Sequence, residues 1–217
     1  MPPKFGTSGL RGLVVELTPD LVADHVCAFL TACPVGTGLW VGRDLRASSP
    51  AIAGMVMQAA AAMDVRVVDC GDVPTPALAL AAMRAGAAAV MVTGSHIPAD
   101  RNGLKFYTPA GEITKADEQA ILAALGTKHS GFATQRSRDQ ATGIAYVARY
   151  TDAFGSQALS GMTVQPQLAM LGGIMLGTLA LCPWAAAASS FCSRATPSGL
   201  ICRYSARAGG ATWASRP

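Results

Sequence analysis

Between Ala87 and Gly94 the chain reads AAAVMVTG, six apolar residues in a row that end on a threonine and a glycine. A short run with no polar alternation predicts a strand buried on both faces, and such strands belong to largely parallel sheets covered by helices on either side. The flanking segments agree. Thr18 is placed to cap a helix with Pro19 at its first position, and Leu21, Val22, Val26, Phe29 and Leu30 follow at helical spacing. GLWVGRD at 38–44 reads as a strand, an Ala- and Met-rich helix opens at Ser49 and Pro50 and runs to about Met63, and VRVVDCG at 65–71 reads as the next strand. A third helix starts near Pro76 and stops at Gly86. The expected fold class is therefore α/β, a mostly parallel mixed sheet sandwiched by helices.

After the apolar run, LKFYTPAGEI predicts a strand and a turn, and Thr114 is placed to cap a helix ending near Gly126. Residues 127–140 read as an exposed connection. A last helix is expected over Ile144 to Leu159, with Tyr146, Tyr150 and Phe154 at four-residue intervals as a core-facing stripe.

Composition sets limits on function. Residues 1–164 carry 13 Lys plus Arg and 13 Asp plus Glu, so the net charge of +4 comes entirely from Arg194, Arg203, Arg207 and Arg216. A neutral main domain gives no basis for nucleic-acid binding. The six cysteines match neither paired zinc ligands nor a compact disulfide framework, and are expected as reduced thiols. The start, MPPKFGTSGLRG, lacks the apolar core of a secretory signal, so a cytoplasmic location is the expectation.

The chemistry concentrates in VTGSHIPADRNGLK at 92–105. Ser95 sits in a loop bounded by glycine and proline directly after the strand, with His96 beside it and Lys105 ten positions on. A serine becomes a phosphoryl carrier only where a base takes its proton and a field of amides and cations stabilises the phosphoryl oxygens. Gly94, Gly103 and Lys105 suit that field, and Arg11 can join them from the glycine-rich segment FGTSGLRG at 5–12, which also suits wrapping an anion with backbone amides. His25, on an amphipathic helix, and His129, in a polar loop, are not expected to be catalytic.

FGTSGLRG, VGRDLRASSP at 42–50, PTPALA at 74–79 and TGSHIPADRNGLK, in this order, resemble the N-terminal domain of the α-D-phosphohexomutases, in the bacterial phosphomannomutase and phosphoglucomutase branch. The resemblance implies that Ser95 is the phosphoserine, exchanging its phosphoryl group with a hexose phosphate through a bound bisphosphate. It implies acid, base or phosphate-contact roles for His96 and Lys105, a matching place for Arg11, and phosphate contacts from Thr7, Ser8, Gly94 and Asn102. It further implies Mg2+, held here through the phosphate on Ser95. Where the family motif has alanine and asparagine, this chain has Gly94 and Ile97.

Family members resemble one another in having four domains, and the metal loop, with the pattern DGDxDR, comes from the third. No such pattern follows residue 111. Two readings stay open: a mutase for mannose phosphates, or glucose phosphates, that is incomplete in this chain; and an inactive domain that binds at most phosphate or a protein partner. Residues 1–163 are expected to form the domain, and 164–217 a low-charge tail. From Gln165 onward there is no Asp, Glu, Lys, Asn or His in 53 residues. A shifted reading frame would give such a composition. A membrane anchor is the second reading, because Leu168 to Ala188 is a 21-residue stretch without charge. An interaction segment is the third.

Overall fold

The computed structural model describes residues 3–6, 9–95, 97–126 and 136–155, together with the backbone of 163–164 and 204–205. Its elements are β1 (Lys4–Gly6), β2 (Gly9–Leu13), α1 (Pro19–Ala32), β3 (Leu39–Arg43), α2 (Ser49–Ala62), β4 (Val67–Asp72), α3 (Thr75–Arg84), β5 (Ala88–Val92), β6 (Arg101–Thr108), β7 (Gly111–Glu112), α4 (Lys115–Ala123), β8 (Arg136–Arg138) and α5 (Ala141–Phe154). The main sheet has the order β1-β2-β6-β5-β3-β4-β8, with β7 paired to β6. Pairing is parallel from β5 through β3 and β4 to β8, and antiparallel on the flank formed by β6, β2 and β1.

Strand β5 is fully buried at all five positions, as its unbroken apolar run requires. Val90 and Val92 belong to the larger core layer with Val26, Phe29, Ile52, Val56 and Phe106, under α1 and α2. Ala89 and Met91 face the opposite layer, with Leu78 of α3 and Tyr107. At roughly 1.5–3 kcal/mol per fully buried large side chain, these two layers supply the main drive for folding.

The caps read from the sequence are formed. Thr18 accepts from the amide of Leu21 at 3.3 Å, with Pro19 in the first turn of α1. Thr114 and Asp117 form a reciprocal capping box on α4, in which the amide of Thr114 donates to Asp117 at 2.8 Å. Each such cap contributes about 1 kcal/mol.

Three expectations are corrected. FGTSGLRG, expected to wrap an anion with its backbone amides, has Lys4–Gly6 and Gly9–Leu13 paired as antiparallel strands of the sheet. Within the expected connection, Arg136–Arg138 forms β8, parallel to β4. Its anchor is electrostatic rather than apolar, since Arg136 Nη2 reaches Asp69 Oδ2 at 3.1 Å. The last helix starts earlier and ends earlier than expected, and its aromatic stripe packs on the core at Tyr146 but runs out to the surface at Tyr150 and Phe154. Tyr150 is 41% and Phe154 68% exposed, with the rings of Tyr146, Tyr150 and Phe154 contacting in sequence, while Thr142 and Val147 are the buried positions of α5. The aromatic spacing is helical, but the narrow contact with α3 and β4 takes in Tyr146 beside Thr142 and Val147 and leaves the later two rings outside.

Asp69 joins three strands, because Arg43 of β3 also contacts it at 3.2 Å. Burial would raise its pKa, but the amide of Gly71 and the guanidinium groups of Arg136 and Arg43 outweigh burial and hold it below the ordinary carboxylate value. A depressed pKa contributes stability above the unfolded-state value and loses it as pH falls through the folded one. Asp69→Asn is therefore expected to cost about 2 kcal/mol at neutral pH. The gap to wild type should close in denaturant titrations run below about pH 4; a gap constant with pH would remove the charge from this explanation.

Cys27, Cys33 and Cys70 are buried free thiols. Burial pushes Cys70 up to about 12, with Asp139 and Asp69 adding to it and Thr142 offsetting part, and pushes Cys33 up to about 11 with help from Asp117. Both stay protonated at neutral pH, in keeping with reduced thiols. Cys182, Cys192 and Cys202, and the span considered as an anchor, lie outside the described residues. Among those residues no helix is long and apolar enough to cross a membrane.

Candidate functional site

The amide of Asp44 donates to the carbonyl of Val92 at 2.9 Å, so the parallel pairing of β3 and β5 runs one step past both strands. This brings the segments after the two strands side by side, Asp44 against Thr93 and Gly94. Asp44 is only 1% exposed. Its Oδ1 accepts from the Ser49 hydroxyl and from the amide of Arg46, while Oδ2 accepts from the Thr93 hydroxyl at 3.0 Å and the amide of Gly94 at 3.1 Å. A buried carboxylate needs such donors to offset its lost hydration.

Ser95 follows as an exposed residue with φ of 51°. Among the described residues only Asp64 shares a positive φ without being glycine. The left-handed region costs an L-residue roughly 1–2 kcal/mol, so the surroundings must hold it. The amide of Ser95 donates to the Thr93 hydroxyl at 2.9 Å, and that hydroxyl is itself fixed by Asp44.

The other side of the loop is carried by β6. Asn102 is fully buried; its amide group donates to the hydroxyls of Ser48 and Ser49 at 2.8 and 2.9 Å, and its carbonyl accepts from the amide of Gly103. It thus faces the start of α2 and ties the base of the loop, rather than lying open to an anion.

Strand register places the two cations. Arg11 is opposite Gly103, and Lys105 lies between Gly9 of β2 and Met91 of β5. All of these share the sheet face of Tyr107. The stem of Arg11 crosses Gly103, where an added Cβ would come within 3.1 Å of Arg11 Cγ and 2.5 Å of the Leu10 carbonyl oxygen. A cavity of about 50 Å3 lies between β2, β6 and the end of β5, lined by Gly9, Arg11, Thr93, Gly103 and Lys105. Lys105 Nζ contacts Glu112 of β7 at 3.0 Å and lies 5.9 Å from the ring centre of Tyr107. Burial pushes the Tyr107 hydroxyl upward and the Lys105 charge pulls it part of the way back.

Because Gly103 gives Arg11 its path, Gly103→Ala is expected to shift β2 from β6 and displace the guanidinium. The cost should be about 1–3 kcal/mol, as for other overpacked sites. Urea melts check the stability, and weaker inorganic phosphate binding by titration would report the displaced Arg11; wild-type values in both would remove Gly103 from the site.

Arg11 and Lys105 therefore line one cavity with Thr93, and Gly94 and Ser95 follow Thr93 directly in the chain, with Asn102 behind the loop. Thr7, Ser8 and His96 lie outside the described residues, as does His129. His25 sits in α1 with Nδ1 2.8 Å from the Leu21 carbonyl and its ring stacked on Phe5. Sequence reasoning quoted VGRDLRASSP without giving Asp44 or Arg46 a role, and these two residues organise the loop. An aspartate and an arginine next to a strand end, with Ser48 and Ser49 following, were the available signal.

Known proteins resemble the chain in the same region. The family model described as phosphoglucomutase/phosphomannomutase, alpha/beta/alpha domain I, matches residues 2–131. A phosphomannomutase of Sinorhizobium fredii is 46% identical over 186 residues, covering 76% of this chain and 37% of the relative. A phosphoglucosamine mutase of Rhodococcus erythropolis is 34% identical, covering 90% of this chain and 46% of the relative. The crystal structure of a putative phosphomannomutase from Thermus thermophilus superposes with a TM-score of 0.61 at 28% identity, over 75% of this chain and 38% of that one. The chain thus spans less than half the length of each of these proteins. Residues 2–131 contain β1 to β7, α1 to α4 and the serine loop, and the chain belongs to the phosphoglucomutase/phosphomannomutase family.

Proposed function

We propose that residues 1–163 form the unit that accepts and returns a phosphoryl group on Ser95, the half-reaction of a phosphohexomutase, with mannose phosphates as the first substrate class to test. The observation that carries the proposal is a cavity lined by Arg11, Lys105 and Thr93, two residues along the chain from a strained, exposed Ser95. The family membership adds to it.

In this reading the Ser95 hydroxyl attacks a phosphorus of a hexose bisphosphate. The new Oγ–P bond replaces the bond between phosphorus and the sugar oxygen, which leaves with the proton that Oγ gives up. Transfer of the phosphoryl group from Ser95 to the free hydroxyl of an incoming monophosphate regenerates free serine and a bisphosphate, and phosphate moves along the sugar because the monophosphate released in the first step and the one consumed in the second are phosphorylated at different positions. Such transfer needs positioning and positive charge more than covalent assistance. Arg11 supplies the charge from β2, and Lys105 from β6, where its contact with Glu112 fixes the ammonium group beside the cavity. His96 is the proton carrier proposed beside Ser95, with Thr7 and Ser8 as further phosphate contacts.

A magnesium ion, held through the phosphate on Ser95, would add positive charge to the transferring group. The described residues do not themselves fit such a site. Among them no group of three His, Cys, Asp or Glu side chains is arranged for a metal, and both oxygens of Asp44 already accept from other donors. No step is therefore drawn through the ion.

The test is a single turnover of the full chain with labelled mannose 1,6-bisphosphate and mannose 6-phosphate in separate arms. Label should pass from the bisphosphate to protein and then to added monophosphate. A chain that binds the sugar phosphates without exchanging label would support the inactive-domain reading instead.

A further inference from the structure

Arg46 does more than balance the charge of Asp44. Its four terminal N–H groups reach four different carbonyl oxygens of the serine loop. Nη1 donates to Pro98 at 2.7 Å and to Arg101 at 3.0 Å, while Nη2 donates to Ser95 at 3.1 Å and to Ile97 at 2.6 Å. The Nε atom lies 3.4 Å from Asp44 Oδ2, and the whole side chain is 11% exposed. The guanidinium group thus occupies the inside of the loop as a flat template, with the carbonyls of Ser95, Ile97, Pro98 and Arg101 set around it.

Gly94 makes this packing possible. A Cβ at that position would overlap Arg46 Cζ and Nε, so the planar group lies directly on the backbone just before Ser95. The carbonyls drawn toward Arg46 have a second effect. In a trans peptide the following N–H points the opposite way. Drawing in the Pro98 carbonyl therefore turns the amide of Ala99 away from the guanidinium.

We infer that Arg46 is a positioning residue for phosphoryl exchange: through four backbone carbonyls, and with Asp44 and Gly94 as its seat, it holds Ser95 in the left-handed conformation in which its hydroxyl meets the phosphoryl group. This rests on the reading of Ser95 given above. Arg46 touches neither Oγ nor the phosphoryl group, so it acts through the loop. Lysine cannot replace it, since one ammonium group with three protons cannot span four carbonyls set around a plane.

The experiment uses the full chain as wild type, Arg46→Lys, Arg46→Ala and Gly94→Ala. Three readouts are taken: thermal melting, hydrogen exchange of peptides covering 93–103 against those covering β3 to β5, and the rate at which Ser95 gains phosphate from mannose 1,6-bisphosphate. In Arg46→Lys and Gly94→Ala the loop amides should exchange at least about tenfold faster with no change in the core strands. Phosphate gain should slow by about a hundredfold, the scale expected for a misplacement near 1 Å. Added guanidinium ion should restore part of the rate in Arg46→Ala. Unchanged loop exchange would overturn the inference, and so would acceleration shared equally by β3 to β5, which marks a purely structural arginine. A wild-type chain that gains no phosphate on Ser95 defeats the catalytic reading instead, and the exchange data then decide by themselves whether Arg46 holds the loop.

Discussion

Asp44→Asn is expected to destabilise the domain by about 3–5 kcal/mol, a loss of the size seen when one partner is removed from a buried charged network. Two hydroxyls, two amides and one guanidinium group converge on the two carboxylate oxygens, with the side chain almost fully out of water. Asparagine keeps the shape but has one acceptor oxygen, so its NH2 group must face donors that had donated to a carboxylate oxygen before. Either pair of donors then loses its acceptor, at about 1–3 kcal/mol for each buried group left without one. Arg46 also loses its counter-charge. For a chain of this length each kcal/mol lowers the melting temperature by about 2–4 °C. A melt within a degree or two of wild type would show that the network is less tightly coupled than its distances suggest.

Ser95→Ala should have the opposite profile. The side chain is exposed, and alanine meets the same left-handed backbone cost as serine, so stability should stay within about 0.5 kcal/mol. Phosphoryl exchange should fall by at least about four orders of magnitude, because no second hydroxyl is held in that position and loss of a nucleophile removes the covalent route itself. Binding of a hexose phosphate should persist, since Arg11 and Lys105 remain. A loss of binding with the loss of exchange would instead point to a collapsed loop, and hydrogen exchange over 93–103 separates the two outcomes.

The elements that could be read from the sequence are those whose signals are local. The buried run of β5 and the caps at Thr18 and Thr114 each announce themselves within a few residues. Strand β8 does not, because its three residues are held by edge pairing and by Arg136 reaching Asp69, 67 positions earlier. The glycines of FGTSGLRG suggested backbone amides wrapped around an anion, whereas Gly9 permits close strand approach: a Cβ there would overlap the Leu104 carbonyl. Ser95 and Lys105 could be put forward from the sequence because the loop motif is contiguous. Asp44 and Arg46 were not, since their partners lie 49 to 55 residues away and a buried acid looks like any other in a sequence.

Asn102 shows the same limit in reverse. Its position in the motif suggested a phosphate contact, yet its side chain is turned inward to Ser48 and Ser49. The motif therefore combines two kinds of residue, those proposed to meet the phosphoryl group and those that shape the loop from behind. Sequence spacing cannot separate them, because both kinds are polar.

The most direct measurement is peptide-resolved mass spectrometry of the full chain after incubation with mannose 1,6-bisphosphate. One phosphoryl group is expected, confined to Ser95, lost on addition of mannose 6-phosphate and absent from Ser95→Ala. Phosphate on other residues alone, or none under saturating bisphosphate, would show that this end of the sheet does not carry phosphoryl transfer in this chain.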